Sequence, residues 1–172
     1  MFFIQTACQG HPAEIFFLLD SSSSIWSVDF KKMISFVNDV IASFDIGPDM
    51  TRVGVASFSY RYRPNFDLGT YTTVEDVQRA VSDIRQIYGG TYTYDALDGV
   101  RMRGLSPTAT RPDVNKFVFV LTDGESYNAA KTKDAAMKLK VHFKRICFLL
   151  HTKHYQIYWQ IYKSRKNIRI YV

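Results

Sequence analysis

Three short clusters of oxygen-bearing side chains carry the chemistry available to this sequence. Asp20 opens the run Asp20-Ser21-Ser22-Ser23-Ser24, so Asp20, Ser22 and Ser24 recur at every second position. Thr91 stands in Gly89-Gly90-Thr91-Tyr92-Thr93, and Asp123 in Thr122-Asp123-Gly124-Glu125-Ser126. Carboxylate and hydroxyl oxygens without Cys or His nearby suit a hard cation in octahedral coordination. That means Mg²⁺, with Mn²⁺ or Ca²⁺ as substitutes. Each cluster alone has an ordinary reading: a serine run is a loop or helix cap, Thr-Asp-Gly a turn, Gly-Gly-Thr a loop. All three in one chain form a far more specific signal than any one of them.

The elements around the clusters decide whether they meet. Glu14 to Asp20 is an apolar run ended by serines, which predicts a strand buried on both faces. Phe30, Met33, Ile34, Phe36, Val37, Val40, Ile41 and Phe44 recur at helical spacing, and Asp45-Ile46-Gly47-Pro48-Asp49 stops that helix. Arg52 to Phe58 predicts a second strand, and Tyr60 to Leu68 a third, confined to an edge by Pro64. Thr73-Val74-Glu75-Asp76 has the form of a capping box, opening a helix expected to run through Ile87. After the Gly89-Gly90 break, a helix over Tyr94 to Arg103, a strand over Lys116 to Thr122 and a helix over Asn128 to His142 complete the alternation. Strands alternating with helices imply an open, doubly wound, mostly parallel α/β sheet with helices on both faces. In such a sheet, sites form at the carboxyl ends of the strands. If the strands at 14–20 and 116–122 are neighbours, Asp20 and Asp123 approach each other at one end of the sheet, where the 89–91 loop can close over them.

These residues resemble the von Willebrand factor A (vWA) domain and the integrin inserted domain. The resemblance rests on Asp20-x-Ser22-x-Ser24, Thr91 after its glycine pair, and Asp123 in Thr-Asp-Gly, and it covers about residues 11–142. The stretch Pro12 to Ile25 is similar to the matrix versions: collagen type VI, matrilins, and molluscan shell and byssal matrix proteins. The resemblance implies a Rossmann-like fold, incomplete at its C-terminus, with a 1–10 flank before it and a divergent 143–172 tail after it. It also implies a metal-ion-dependent adhesion site. Ser22, Ser24 and Thr91 would be neutral direct ligands, and Asp20 and Asp123 would act largely through waters. A cation so held stays under-neutralised and attracts a Glu or Asp of a partner. The implied function is an extracellular adhesion or protein-binding module with an extracellular matrix protein or collagen as partner, and no enzyme. Tyr92, Tyr94 and Glu125 read as surface or supporting residues, and Asp95 and Asp98 as solvated helix positions. In matrix relatives a flanking cysteine often pairs near the domain's other end; Cys8 has only Cys147 available.

Charge and composition exclude other classes. The chain carries a net +6, but residues 1–142 hold 15 Lys and Arg against 16 Asp and Glu. The last 30 residues hold 7 Lys and Arg and no acid, so the excess lies in the tail and no fold-wide basic face for nucleic acid exists. The longest apolar runs, Ile15 to Leu19, Phe117 to Leu121 and Ile146 to Leu150, are far short of the roughly 20 residues of a membrane span. The apolar start, Met1 to Cys8, lacks the basic flank of a secretory signal. No His lies between residues 12 and 141, so a Ser-His-Asp arrangement has no base there. The alternative class is a Mg²⁺-dependent phosphoryl hydrolase with Asp20 as nucleophile. Serines follow Asp20, however, and no second carboxylate stands two residues on. In the tail, Arg145 to Leu150 has a strand pattern, while His154 to Tyr162 fits neither period.

Overall fold

The computed structural model describes residues 11–123 and 126–141 in full, and the backbone of 142, 147–151 and 157–161. The chain order is β1 (Ala13–Asp20), α1 (Ser27–Ile41), β2 (Thr51–Phe58), β3 (Tyr62–Phe66), α2 (Val74–Ser82), α3 (Thr93–Gly99), β4 (Asn115–Leu121), α4 (Ala129–His142), β5 (Cys147–His151) and β6 (Ile157–Ile161). Four strands form one sheet in the order β3-β2-β1-β4. β1 pairs in parallel with both β2 and β4, and β3 returns antiparallel along the outer edge of β2. Pro64, which has no N–H to give a ladder, lies in that edge strand beside a register shift between Val55 and Ala56. β5 and β6 pair antiparallel in a separate two-stranded sheet, with the β5 backbone running beside β4. Both strands fall in the segment set apart as a tail, and β6 settles the ambiguous 154–162 stretch as strand where it is described.

Every residue of β1 is buried, because both its edges are paired and both its faces are covered. Ile15, Phe17 and Leu19 face Phe30, Met33, Val37 and Val40 of α1 and Val77 and Val81 of α2. Phe16 and Leu18 face Ala96 and Leu97 of α3 and Ala135 and Leu139 of α4. The expected helices on both faces are therefore present. Each such Leu or Phe, fully buried, contributes about 1.5–3 kcal/mol relative to exposure, so β1 anchors the core. α3 continues from Val100 to Gly104 as a π-helical turn that buries Val100 over the same face.

Helix α2 departs from its expected length. Thr73 caps it as expected, its hydroxyl accepting from the Asp76 N–H at 3.2 Å. The Asp76 carboxylate takes the Thr73 hydroxyl at 3.0 Å, so the capping box closes side chain to side chain. The helix then stops at Ser82 rather than Ile87. Residues 86–89 bond instead to the loop after β1. Several hydrogen bonds at about 1 kcal/mol each outweigh a few tenths per residue of helix propensity.

At the amino end of β1, Glu14 is fully buried between two arginines. Arg52 of β2 reaches its two oxygens at 3.0 and 2.6 Å, and Arg111 donates from Nε at 2.9 Å. Arg111 also donates to the carbonyls of Ala13, Pro48 and Met50, and Arg52 to that of Ala109. One carboxylate thereby ties β1, β2, the turn before β2 and the loop before β4. Removing one partner of a buried pair strands the other charge at a cost of several kcal/mol. Glu14→Gln should lower unfolding free energy by about 3 kcal/mol, read as a lower urea midpoint at unchanged slope.

Candidate functional site

The parallel pairing of β1 with β4, in register at Leu19 and Leu121, carries Asp20 and Thr122 to the same end of the sheet. The Thr122 hydroxyl donates to Asp20 Oδ2 at 2.6 Å. The Ser22 backbone N–H donates to Asp20 Oδ1 at 2.9 Å, closing a tight turn that reverses the chain after β1. That turn points Ser22 and Ser24 to one place, with their hydroxyl oxygens 2.9 Å apart. Asp20 and Ser22 are fully buried, whereas Ser24, Thr91 and Asp123 are half-buried. The cluster therefore has a closed floor and an open mouth.

Its electrostatics are unusual for buried carboxylates. Desolvation raises the Asp20 pKa above 3.8; hydrogen bonds from Ser22 and Thr122 oppose the shift, and the nearby Asp123 charge adds to it. Asp123 Oδ1 is buried without a hydrogen-bond partner among the described residues. No basic side chain among the described residues pairs with either carboxylate, in contrast to Glu14 with its two arginines. No group of three His, Cys, Asp or Glu side chains forms a metal cluster among the described residues either. The donor set is two carboxylates and several hydroxyls. It fits a hard divalent cation, which would compensate both acids and occupy the orphaned oxygen.

The segment after α2 builds the cluster's second wall. Gln86 Nε2 donates to the carbonyls of Ser22 at 3.0 Å and Ile25 at 2.7 Å. The Ile87 N–H donates to Ser21 Oγ at 2.6 Å, and the Tyr88 N–H to the Ser21 carbonyl at 2.8 Å. Ser23 and Gly89 exchange two bonds: the Gly89 N–H donates to Ser23 Oγ, and the Ser23 N–H to the Gly89 carbonyl, both at 2.9 Å. Gly89 is at φ +114°, and a Cβ there would lie 2.6 Å from the Tyr60 ring, so both backbone and space require glycine. Further along, the Thr91 carbonyl accepts the Tyr127 N–H at 2.8 Å, which joins this loop to the chain after Asp123.

Four of the five expected site residues, Asp20, Ser22, Ser24 and Asp123, are thus linked by hydrogen bonding or by charge. The fifth, Thr91, is tied by its carbonyl to the Tyr127 N–H in the chain after Asp123. The sequence reading missed Thr122, although its place at the strand end beside Asp123 was the available signal. It also missed Ser21, Ser23 and Gln86, which hold the loops and have no motif of their own. Asp95 is corrected: it is half-buried and accepts the Tyr62 N–H at 2.7 Å, pinning α3 to β3, because the helix start packs on the edge hairpin. Asp98 pairs with Arg101 on the helix surface. Cys8 and Glu125 lie outside the described residues, as does the Cys147 side chain.

A family model, the von Willebrand factor type A domain, matches residues 14–171, reaching past residue 142. The chain belongs to that family. It is 32% identical over 134 residues to the collagen alpha-6(VI) chain of Mus musculus, covering 78% of this chain and 6% of that one. It is 34% identical over 128 residues to matrilin-1 of Mus musculus, covering 72% of this chain and 26% of the relative. It therefore spans only a small part of the curated relatives it matches. Among solved structures, proximal thread matrix protein 1 from the mussel byssus, with a zinc-occupied MIDAS motif, superposes with a TM-score of 0.74 at 29% identity. That match covers 81% of this chain and 37% of the byssus protein. The manganese-loaded Plasmodium vivax TRAP protein shares the fold, with a TM-score of 0.70 at 22% identity over 83% of this chain and 58% of its own.

Asp20 gives the site a signed pH dependence. Its folded pKa lies above the unfolded value of 3.8, so the folded state holds its proton to higher pH. Stability from this group is complete below the unfolded value and is lost as pH rises through the folded one. As pH rises above about 4 and through the raised folded value, the metal-free domain should lose this increment, and Asp20→Asn should flatten that part of the curve. Urea midpoints across the range, with chelator present, check it.

Proposed function

We propose that this domain is a divalent-metal-dependent adhesion module of the extracellular matrix. In this reading Asp20, Ser22, Ser24, Thr91 and Asp123 hold Mg²⁺, with Mn²⁺ or Ca²⁺ able to substitute. The observation that carries it is the pairing of a buried Asp20, neutralised by no described basic side chain, with a buried Asp123 Oδ1 that has no partner among the described residues, together with the Ser22–Ser24 hydroxyl pair. The zinc-occupied MIDAS motif of the byssus protein, 29% identical to this chain, supports a divalent ion here. The matrix names of the relatives support the extracellular setting.

The residues divide the work by position. Ser24 and Thr91 bring neutral oxygens near the mouth of the cluster and Ser22 one from its floor, while Asp20 on the floor and the half-buried Asp123 supply charge. A bound cation supplies an incompletely neutralised Lewis acid facing solvent. A Glu or Asp of a matrix protein or collagen is the kind of group that such an ion would attract. The arrangement is non-enzymatic. Asp20 is fully buried with both carboxylate oxygens hydrogen-bonded, which counts against its use as a phosphoryl-transfer nucleophile.

A ligand bound only by the native state, at 100 times its dissociation constant, stabilises by about 2.7 kcal/mol. Millimolar Mg²⁺ should therefore raise the melting temperature, and EDTA should reverse the rise. Asp123→Ala, or Ser22→Ala combined with Ser24→Ala, should abolish it. Binding to immobilised matrix protein should need the metal and be competed by acidic peptides. A melting curve indifferent to both Mg²⁺ and EDTA would overturn the reading. Metal-dependent phosphatase activity lost in Asp20→Asn would replace it with the hydrolase reading.

A further inference from the structure

Four tyrosines crowd the rim of the cluster. Tyr92 directly follows Thr91, and Tyr127 lies four positions after Asp123. Their rings stack with centroids 4.7 Å apart and planes only 13° from parallel. Tyr60 and Tyr94 also flank Tyr92, each with centroids 5.7 Å away but tilted by 57° and 58°. Tyr127 is 72% exposed, so it is open to an oxidant in solution, while Tyr92 is half-buried beneath it. Lys131 sits over the Tyr94 ring at 5.3 Å, covering part of that neighbour.

We propose that Tyr92 and Tyr127 form an oxidative cross-linking site, joined as dityrosine by a peroxide acting through a peroxidase. The chemistry balances with that oxidant. Each phenol gives up one electron and one proton, so one peroxide is reduced to two waters. The two phenoxyl radicals then pair to make one carbon–carbon bond, ortho to each hydroxyl. The ortho hydrogens move to oxygen as the rings regain aromaticity, restoring both hydroxyls. The coupling carbons become tetrahedral as they join, so the new bond forms along the normal of each ring. Parallel stacked rings present that approach, and rings tilted by nearly 60° do not. The geometry selects one pair among the four.

The cross-link also has a place to act. The Tyr127 N–H already donates to the Thr91 carbonyl at 2.8 Å, so the two tyrosines bridge the Thr91 loop and the segment after Asp123. A covalent bond there fixes two walls of the cluster relative to each other. Resting on the metal-site reading, oxidation should lock the site and slow release of its ion.

The test treats the dilute, metal-free full chain with peroxidase and hydrogen peroxide, then maps peptides by mass. The expected product is a monomer lighter by two hydrogens, with the Tyr92 and Tyr127 peptides joined. Tyr127→Phe and Tyr92→Phe, which keep the stack but lack a phenol, should each abolish it. Coupling only between chains, coupling at another tyrosine pair, or a product that survives in Tyr127→Phe would overturn the assignment. The purified cross-linked monomer, loaded with Mg²⁺, should lose the ion to chelator at least about fivefold more slowly than the untreated chain. An unchanged release rate would overturn the lock. If the untreated chain binds no Mg²⁺ at all, the adhesion-site reading fails while the mapped cross-link stands.

Discussion

The structure depends on how the two carboxylates of one fully enclosed strand are compensated. β1 is paired on both edges and covered on both faces, so Glu14 near its start and Asp20 at its end are removed from water. A buried carboxylate without a partner costs several kcal/mol, and the fold deals with the two ends differently. Glu14 receives two arginines, each of which also satisfies backbone carbonyls of neighbouring loops. Among the described residues, Asp20 receives the Ser22 backbone N–H and the hydroxyls of Ser22 and Thr122 but no basic side chain, and it faces the second acid Asp123. One end of the sheet is closed by charges within the chain. The other is left negative and lined with hydroxyls, which is the condition for accepting a cation from solution.

The loops around that end hold the hydroxyls in place. Residues 86–89 leave helix α2 and bond to Ser21, Ser22 and Ser23, trading helical hydrogen bonds for loop-to-loop ones. Gly89 allows the close approach of Tyr60, and Tyr127 ties the Thr91 loop to the chain beyond Asp123. Three segments distant in sequence are thus fixed against one another before any ion arrives. Such preorganisation lowers the cost of ordering the ligands and favours tight, geometry-selective metal binding.

Much of this was legible in the sequence because its signals are local. The unbroken apolar run of β1, the 3.6-residue pattern of α1, and Pro64 at the edge each map onto one element. The three oxygen clusters were legible for the same reason, since each marks the end of a strand or a break between elements. What escaped was decided by partners far away in the chain. Nothing near Glu14 announces Arg52 and Arg111, and nothing near Ile87 says that Ser21 will compete with the helix for its N–H. Asp95 reads as solvated because its partner, the Tyr62 N–H, sits 33 residues earlier. Long-range hydrogen bonds of this kind leave no periodicity to read.

The central claim is that a bound divalent ion compensates the Asp20 end of the sheet, and diffraction from Mn²⁺-soaked crystals tests it most directly. The account predicts one anomalous peak at the carboxyl ends of β1 and β4, about 2.0–2.2 Å from the hydroxyl oxygens of Ser22 and Ser24. The same peak should be absent in crystals of Asp123→Ala. A well-diffracting wild-type crystal with no peak there, or with Ser22 and Ser24 still bonded to each other beside an ion bound elsewhere, would contradict it.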